Sequence, residues 1–121
     1  MNMSFLLTQP QIRDRSKTVT RRTGWARLKP WDEVNAVERG QGLKKGAHVV
    51  VLARLLVVSV RMEPLIEMID DEQYGKDECV REGFPAYTPF QFVRMFMRTH
   101  RGVRIDTPVR RIQFDYLADG D

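Results

Sequence analysis

The chain has 121 residues, 42% hydrophobic and 30% charged, the size and mix of one compact domain without a second core. Twenty Lys and Arg against sixteen Asp and Glu leave +4, an excess that permits an anionic partner without requiring one. A lone cysteine, Cys79, excludes an internal disulfide, and with only His48 and His100 beside it no metal or other cofactor is expected.

The longest apolar run, Val49 to Val60, is broken by Arg54 and Ser59 and falls well short of the roughly 20 residues that span a bilayer. No membrane association is expected, and with no basic-then-apolar leader at the start the cytoplasm is the default compartment. Charge is unevenly distributed. Gln11 to Pro30 holds seven bases and one acid, Met62 to Val80 seven acids and one base, and Arg94 to Arg111 six bases and one acid. Two basic blocks flank an acidic middle. They form either one phosphate-attracting face, with Arg13, Arg15, Arg21, Arg98 and Arg101 as its nucleic-acid contacts, or two solvated surfaces.

In chain order, Ser4 to Leu7 is a short apolar start, and Thr8 three residues before Gln11 marks a helix over about Gln9 to Ser16. Lys17 to Arg22 is too polar for a core strand and reads as an exposed turn or edge strand. Gly24 and Pro30 punctuate a loop through Trp25 and Trp31, and Val34 to Glu38 reads as a brief strand. Gly40, Gly42 and Gly46 around Gln41, Lys44 and Lys45 indicate a tight connection. Gly42 is followed by Leu-Lys-Lys-Gly-Ala-His, which excludes a phosphate-binding P-loop.

Ala47 to Arg61, dense in Val and Leu, is the strongest strand signal, as one long bent strand or two in succession. Glu63 to Glu78, with Pro64 and Gly75, reads as a short helix with an exposed excursion. Thr88, Pro89 and Gln91 cap a helix whose apolar stripe is Phe90, Val93, Phe96 and Met97. Thr107 to Leu117 closes the domain as a strand, and 118–121 is an acidic tail. Strands dominate the core, helices fill the connections, and no βαβ alternation supports a parallel sheet, so the fold class is α+β, a small mixed β-barrel with helices packed around it.

Ser4, Ser16 and Ser59 lack a nucleophile elbow, so a serine triad is excluded. His48, at the start of a strand, reads as structural, and His100, near a helix end, as a partner of the helix dipole or of a phosphate. Lys17-Thr18-Val19-Thr20-Arg21-Arg22 carries more chemistry. Neighbouring arginines and burial both disfavour a charge on Lys17, and a neutral amine can activate the Thr20 hydroxyl three residues on. The alternative is a solvated polar edge. Trp25 and Trp31, beside Arg27 and Lys29, are either base-stacking rings or core residues.

These segments, together with Met3-Ser4-Phe5-Leu6-Leu7-Thr8, Leu28-Lys29-Pro30, Gly40-Gln41-Gly42-Leu43-Lys44 and Arg81-Glu82-Gly83-Phe84, resemble an ASCH domain of the PUA-like superfamily across 1–117. The resemblance implies a small β-barrel with a cleft for a nucleobase or nucleotide. It implies one of three activities: a metal-independent amidohydrolase that removes acyl groups from the exocyclic amine of cytidine, a ribonuclease, or a non-catalytic module that binds RNA or modified nucleic acid. For the amidohydrolase it implies Thr20 as nucleophile, Lys17 as base and Glu82 as the acid orienting Lys17. Arg22 would hold a carbonyl or phosphate oxygen, with Gln41, Trp25 and Trp31 around the substrate. Where many members carry Gly-Asp after Leu-Lys-Pro, this chain has Trp31-Asp32, so the turn is expected to differ and to present Trp31 outward. Phage-type members suggest modified bases of nucleic acid as a further substrate or partner.

Overall fold

The computed structural model describes residues 1–39 and 46–118. The glycine-rich connection at 40–45, with Gln41, and tail residues 119–121 lie outside the described residues. The elements run β1 (Asn2–Ser4), α1 (Gln9–Arg13), β2 (Val19–Arg22), β3 (Glu33–Val37), β4 (Val51–Pro64), α2 (Glu67–Asp70), α3 (Glu72–Glu82), α4 (Pro89–Thr99) and β5 (Pro108–Tyr116). The class is α+β, a five-stranded mixed sheet with helices against it.

The strand order is β1-β3-β4-β5-β2. All neighbours pair antiparallel except β1 and β3, which pair parallel. That one parallel pair makes the sheet mixed, as the sequence indicates. After β1 the chain crosses to the opposite edge to lay down β2, and returns to place β3 beside β1 in the same direction. The ladders leave β1 and β2 as edges, so the described strands form an open sheet where the sequence reading expects a closed barrel.

The Val- and Leu-rich run forms one strand, not two. It pairs with β3 up to Leu56 and with β5 from Leu55 onward, and the ladder to β5 carries a bulge between Val57 and Ser59. The strand begins at Val51, so His48 lies exposed ahead of it. One apolar core under the sheet gathers Phe5, Ile12, Leu55, Ile112 and Phe114. A second, under the helices, gathers Leu65, Met68, Phe92, Val93 and Phe96.

Helix α4 has the full capping box, Thr88 accepting from the Gln91 backbone and Gln91 from the Thr88 backbone. Its buried stripe is Phe92, Val93 and Phe96, while Phe90 is 60% exposed. The phase is set by Pro89, which is buried against Gly75 of α3 and turns the next residue outward. The acidic middle forms two helices, α2 and α3; Glu67, Asp70, Asp71, Glu72 and Asp77 are exposed, but one face of α3, with Gly75, Glu78, Cys79 and Glu82, is buried where the sequence reads as an exposed excursion.

Gly75 is where the three helices meet. A Cβ there would stand 1.9 Å from the Met68 carbonyl oxygen and 2.7 Å from Pro89 Cγ, and a backbone oxygen cannot swing aside. Gly75→Ala is expected to lower unfolding free energy by about 3 kcal/mol or more. Urea denaturation of the two proteins checks it through the midpoint.

Candidate functional site

The site begins with the alternation of β2. Arg21 stands directly across from Arg111 on β5, and Arg111 across from Arg61 on β4. Like charges in one cross-strand row repel, and here two of the three cations are also shut away from water, Arg21 and Arg111 being buried while Arg61 is exposed. The row is stable only if acids meet it. Glu78 and Glu82, four residues apart on α3, share a helix face, and Glu63 reaches in from β4.

Arg21 donates to Glu78 Oε1 (2.6 Å), Glu63 Oε2 (2.6 Å) and Glu82 Oε2 (3.0 Å). Arg111 donates through Nε and Nη2 to both oxygens of Glu78, and Arg81 adds a third cation to Glu78 at 3.0 Å. The Tyr74 hydroxyl donates to Glu63 Oε1, where Arg61 also donates. Burial alone would raise the Glu78 carboxyl; Arg111 and Arg21 overturn it and hold it at about 2. Burial likewise pulls Arg21 down, and Glu82, Glu78 and Glu63 more than restore it.

Lys17 enters this network from the turn before β2. Its backbone is pinned three ways: its N–H donates to Gln11 O, its carbonyl accepts from the Tyr116 hydroxyl (2.6 Å), and Thr18 N–H donates to Arg81 O. Its Nζ donates to the carbonyl oxygen (2.7 Å) and the Oε1 (2.9 Å) of Glu82. The carbonyl is free because α3 ends there: Gly83, at φ +94°, breaks the helix in a left-handed cap. Burial lowers the Lys17 ammonium from its usual range, Glu82 partly opposes this, and Arg22 and Arg21 add to the lowering. Four arginines already serve Glu63, Glu78 and Glu82, so neutrality of the cluster does not require a charge on Lys17.

Because β2 is an edge strand, residues of both its faces reach one cavity of about 290 Å³. Lys17, Thr20, Arg21, Arg22 and Glu82 form its polar wall. Phe5, Leu6, Leu7, Phe84, Phe92, Met95 and Phe96 form an apolar one, and Thr99 and His100 stand at the end of α4. Thr20 Oγ1 accepts from Arg22 Nε at 3.1 Å, which leaves the hydroxyl hydrogen free to be given away. Arg22 lies over the Phe5 ring, 4.6 Å from its centre. Burial lowers the Arg22 guanidinium to about 10, against a weaker pull from Glu82. It keeps its charge at neutral pH.

Lys17, Thr20, Glu82 and Arg22 thus share one pocket, and a solvated polar edge does not describe β2, whose first three residues are buried. Arg21 does not belong with nucleic-acid contacts: its side chain is wholly buried on three glutamates. Trp25 is half-buried against the sheet core, away from the cavity. Trp31 is 80% exposed at φ +76°, presented outward by its turn and outside the cavity lining. Arg13, paired with Glu38, and Arg15, over the Tyr116 ring, are exposed, as are Arg98 and Arg101. Sequence reading passed over Glu63, Glu78 and Arg111. Their signal was present in the four-residue spacing of Glu78 and Glu82 and in the alternation of β5.

Among the described residues no helix is long and apolar enough to cross a membrane. No protein-family model matches the chain, and no curated protein matches it. A solved structure does: the crystal structure of hypothetical protein PH0355, with a TM-score of 0.65 at 14% identity, the match covering 96% of this chain and 97% of that one. At that identity the likeness establishes a shared fold.

Removing one partner from a buried charge cluster leaves the others uncompensated. Glu78→Gln is expected to cost roughly 3–5 kcal/mol at pH 7. The contribution of the Glu78 charge is complete above its usual 4.5 and disappears as pH falls toward about 2, so the wild-type advantage over the variant narrows across that window. Denaturant melts of both proteins between pH 7 and pH 2.5 measure it.

Proposed function

We propose that the chain is an amidohydrolase that removes the acyl group from the exocyclic amine of cytidine or a related modified nucleoside, an ASCH domain of the PUA-like superfamily whose open sheet is the larger part of the family's barrel. The observation that carries the reading is the buried Lys17 amine, held twice by Glu82 on the same cavity wall as Thr20 and Arg22.

In its neutral form Lys17 spends two N–H bonds on Glu82 and keeps a lone pair for the Thr20 proton. Thr20 Oγ then attacks the acyl carbonyl carbon, and Arg22 stabilises the oxygen that becomes negative. Collapse breaks the carbon–nitrogen bond, and Lys17 returns the proton to the departing amine. Water, deprotonated by Lys17, attacks the Thr20 ester, releasing the carboxylate and restoring the hydroxyl. Glu82 is the positioning residue: it fixes where the amine points. The apolar wall suits a planar base, and a cavity of about 290 Å³ takes a nucleoside more readily than a folded nucleic acid.

A binding module is the second reading, favoured by the exposed Arg94, Arg98 and Arg101 along and beyond α4. It predicts steep salt dependence and no turnover.

Acetylcytidine incubated with the protein and chelator is expected to yield cytidine by chromatography. Lys17→Ala and Thr20→Ala are expected to lose about 1,000-fold or more in kcat, with circular dichroism confirming that they fold. No cytidine at high protein concentration overturns the amidohydrolase reading.

A further inference from the structure

His100 follows the last turn of α4 and its ring lies flat on Phe96, the centres 3.8 Å apart and the planes 6° from parallel. Both rings line the cavity. The imidazole is also oriented in its own plane, because Nδ1 lies 3.0 Å from the Phe96 carbonyl oxygen and 3.1 Å from Thr99 Oγ1. A carbonyl oxygen only accepts, so Nδ1 carries the hydrogen. Thr99 spends its own hydrogen on the Met95 and Phe96 carbonyls. In the neutral ring Nε2 is then a bare acceptor, and among the described residues no hydrogen-bond partner meets it.

The cavity's other side-chain acceptors are the Ser4, Thr8, Thr20 and Thr99 hydroxyls and the Glu82 carboxylate. Lys17, Arg21 and Arg22 are donors. Glu82 Oε1 already accepts from Lys17 and Oε2 from Arg21. A ligand that sets carbonyl oxygens on the cationic wall still brings its own N–H or O–H groups, and a buried donor without a partner is penalised.

Resting on the amidohydrolase reading, we infer that His100 is a further substrate-binding residue: stacked on Phe96 and held through Nδ1, it accepts at Nε2 a hydrogen bond from an N–H or O–H of the bound nucleoside. It selects ligands that present such a donor opposite their carbonyls. It takes no part in the proton transfers at Lys17 and Thr20.

Two variants separate the acceptor from the ring. His100→Phe keeps the stack on Phe96 and removes the acceptor, and His100→Gln places an amide oxygen near the position of Nε2. For acetylcytidine, His100→Phe is expected to raise KM roughly tenfold or more with kcat within about threefold of wild type, and His100→Gln to recover most of the loss. An unchanged KM, a loss confined to kcat, or no recovery by His100→Gln overturns the inference. The same comparison with acetylcytosine, which has no sugar, locates the donor: a loss with both ligands assigns an N–H, and a loss with the riboside alone assigns a ribose hydroxyl.

Calorimetric titration of acetylcytidine and cytidine separates this claim from the activity. If wild type binds without turnover, weaker binding by His100→Phe with recovery by His100→Gln supports the contact and overturns the amidohydrolase reading. Equal binding by all three proteins overturns the contact, and no binding by wild type overturns both.

Discussion

The structure depends on one juxtaposition: Arg21, Arg111 and Arg61 in a row across three strands, which the sheet tolerates only because α3 lays Glu78 and Glu82 on it and β4 adds Glu63. Without those acids the sheet would carry two buried and unpaired guanidinium groups, each costing several kcal/mol. The network therefore dictates where α3 docks. Glu78, fully buried, is its centre and accepts from Arg21, Arg81 and Arg111 at once. Gly75 and Gly83 serve the same docking, the first by admitting the Met68 carbonyl and Pro89, the second by stopping the helix immediately after Glu82.

The cavity follows from that docking. Ending α3 at Glu82 exposes a helix-terminal carbonyl beside a carboxylate, and Lys17 fills both acceptors. A buried lysine next to a carboxylate is ordinarily charged. Here Arg21 shares the same carboxylate, Arg22 stands nearby, and the arginines already balance the acids, so burial prevails and the ammonium is disfavoured. The chain thus spends stability on a lysine that is easier to deprotonate folded than unfolded. By linkage this penalty shrinks as pH rises toward 10.5, the usual value for lysine.

Much of this was legible in the sequence, for physical reasons. The capping box of α4 and the β-branched run of β4 are local signals, and both elements formed, α4 at its cap and β4 displaced by a few residues toward the C-terminus. That Lys17 and Thr20 line one cavity was readable because the spacing is short, and Glu82 because of a family resemblance. What failed was long-range. Of the seven acids between Met62 and Val80 five are exposed, and the two that are not, Glu63 and Glu78, were missed because their partners lie about 40 residues before and 30 after. Arg21 read as a phosphate contact for the same reason. The charge blocks in part neutralise each other inside the fold, and the exposed remainder, Arg98 and Arg101 among them, is what a polyanion would meet. Phe90 shows the limit of periodicity, since Pro89 against Gly75 set the helix phase one residue away from the stripe the spacing suggested.

The chemistry of the site turns on Lys17 holding its proton loosely. With five lysines in the chain, carbon-13 labelling of the lysine ε-carbons and a pH titration by NMR follows each amine, and Lys17→Met identifies the resonance. The Lys17 signal is expected to titrate well below the others. A Lys17 amine titrating with the exposed lysines or above them would contradict it.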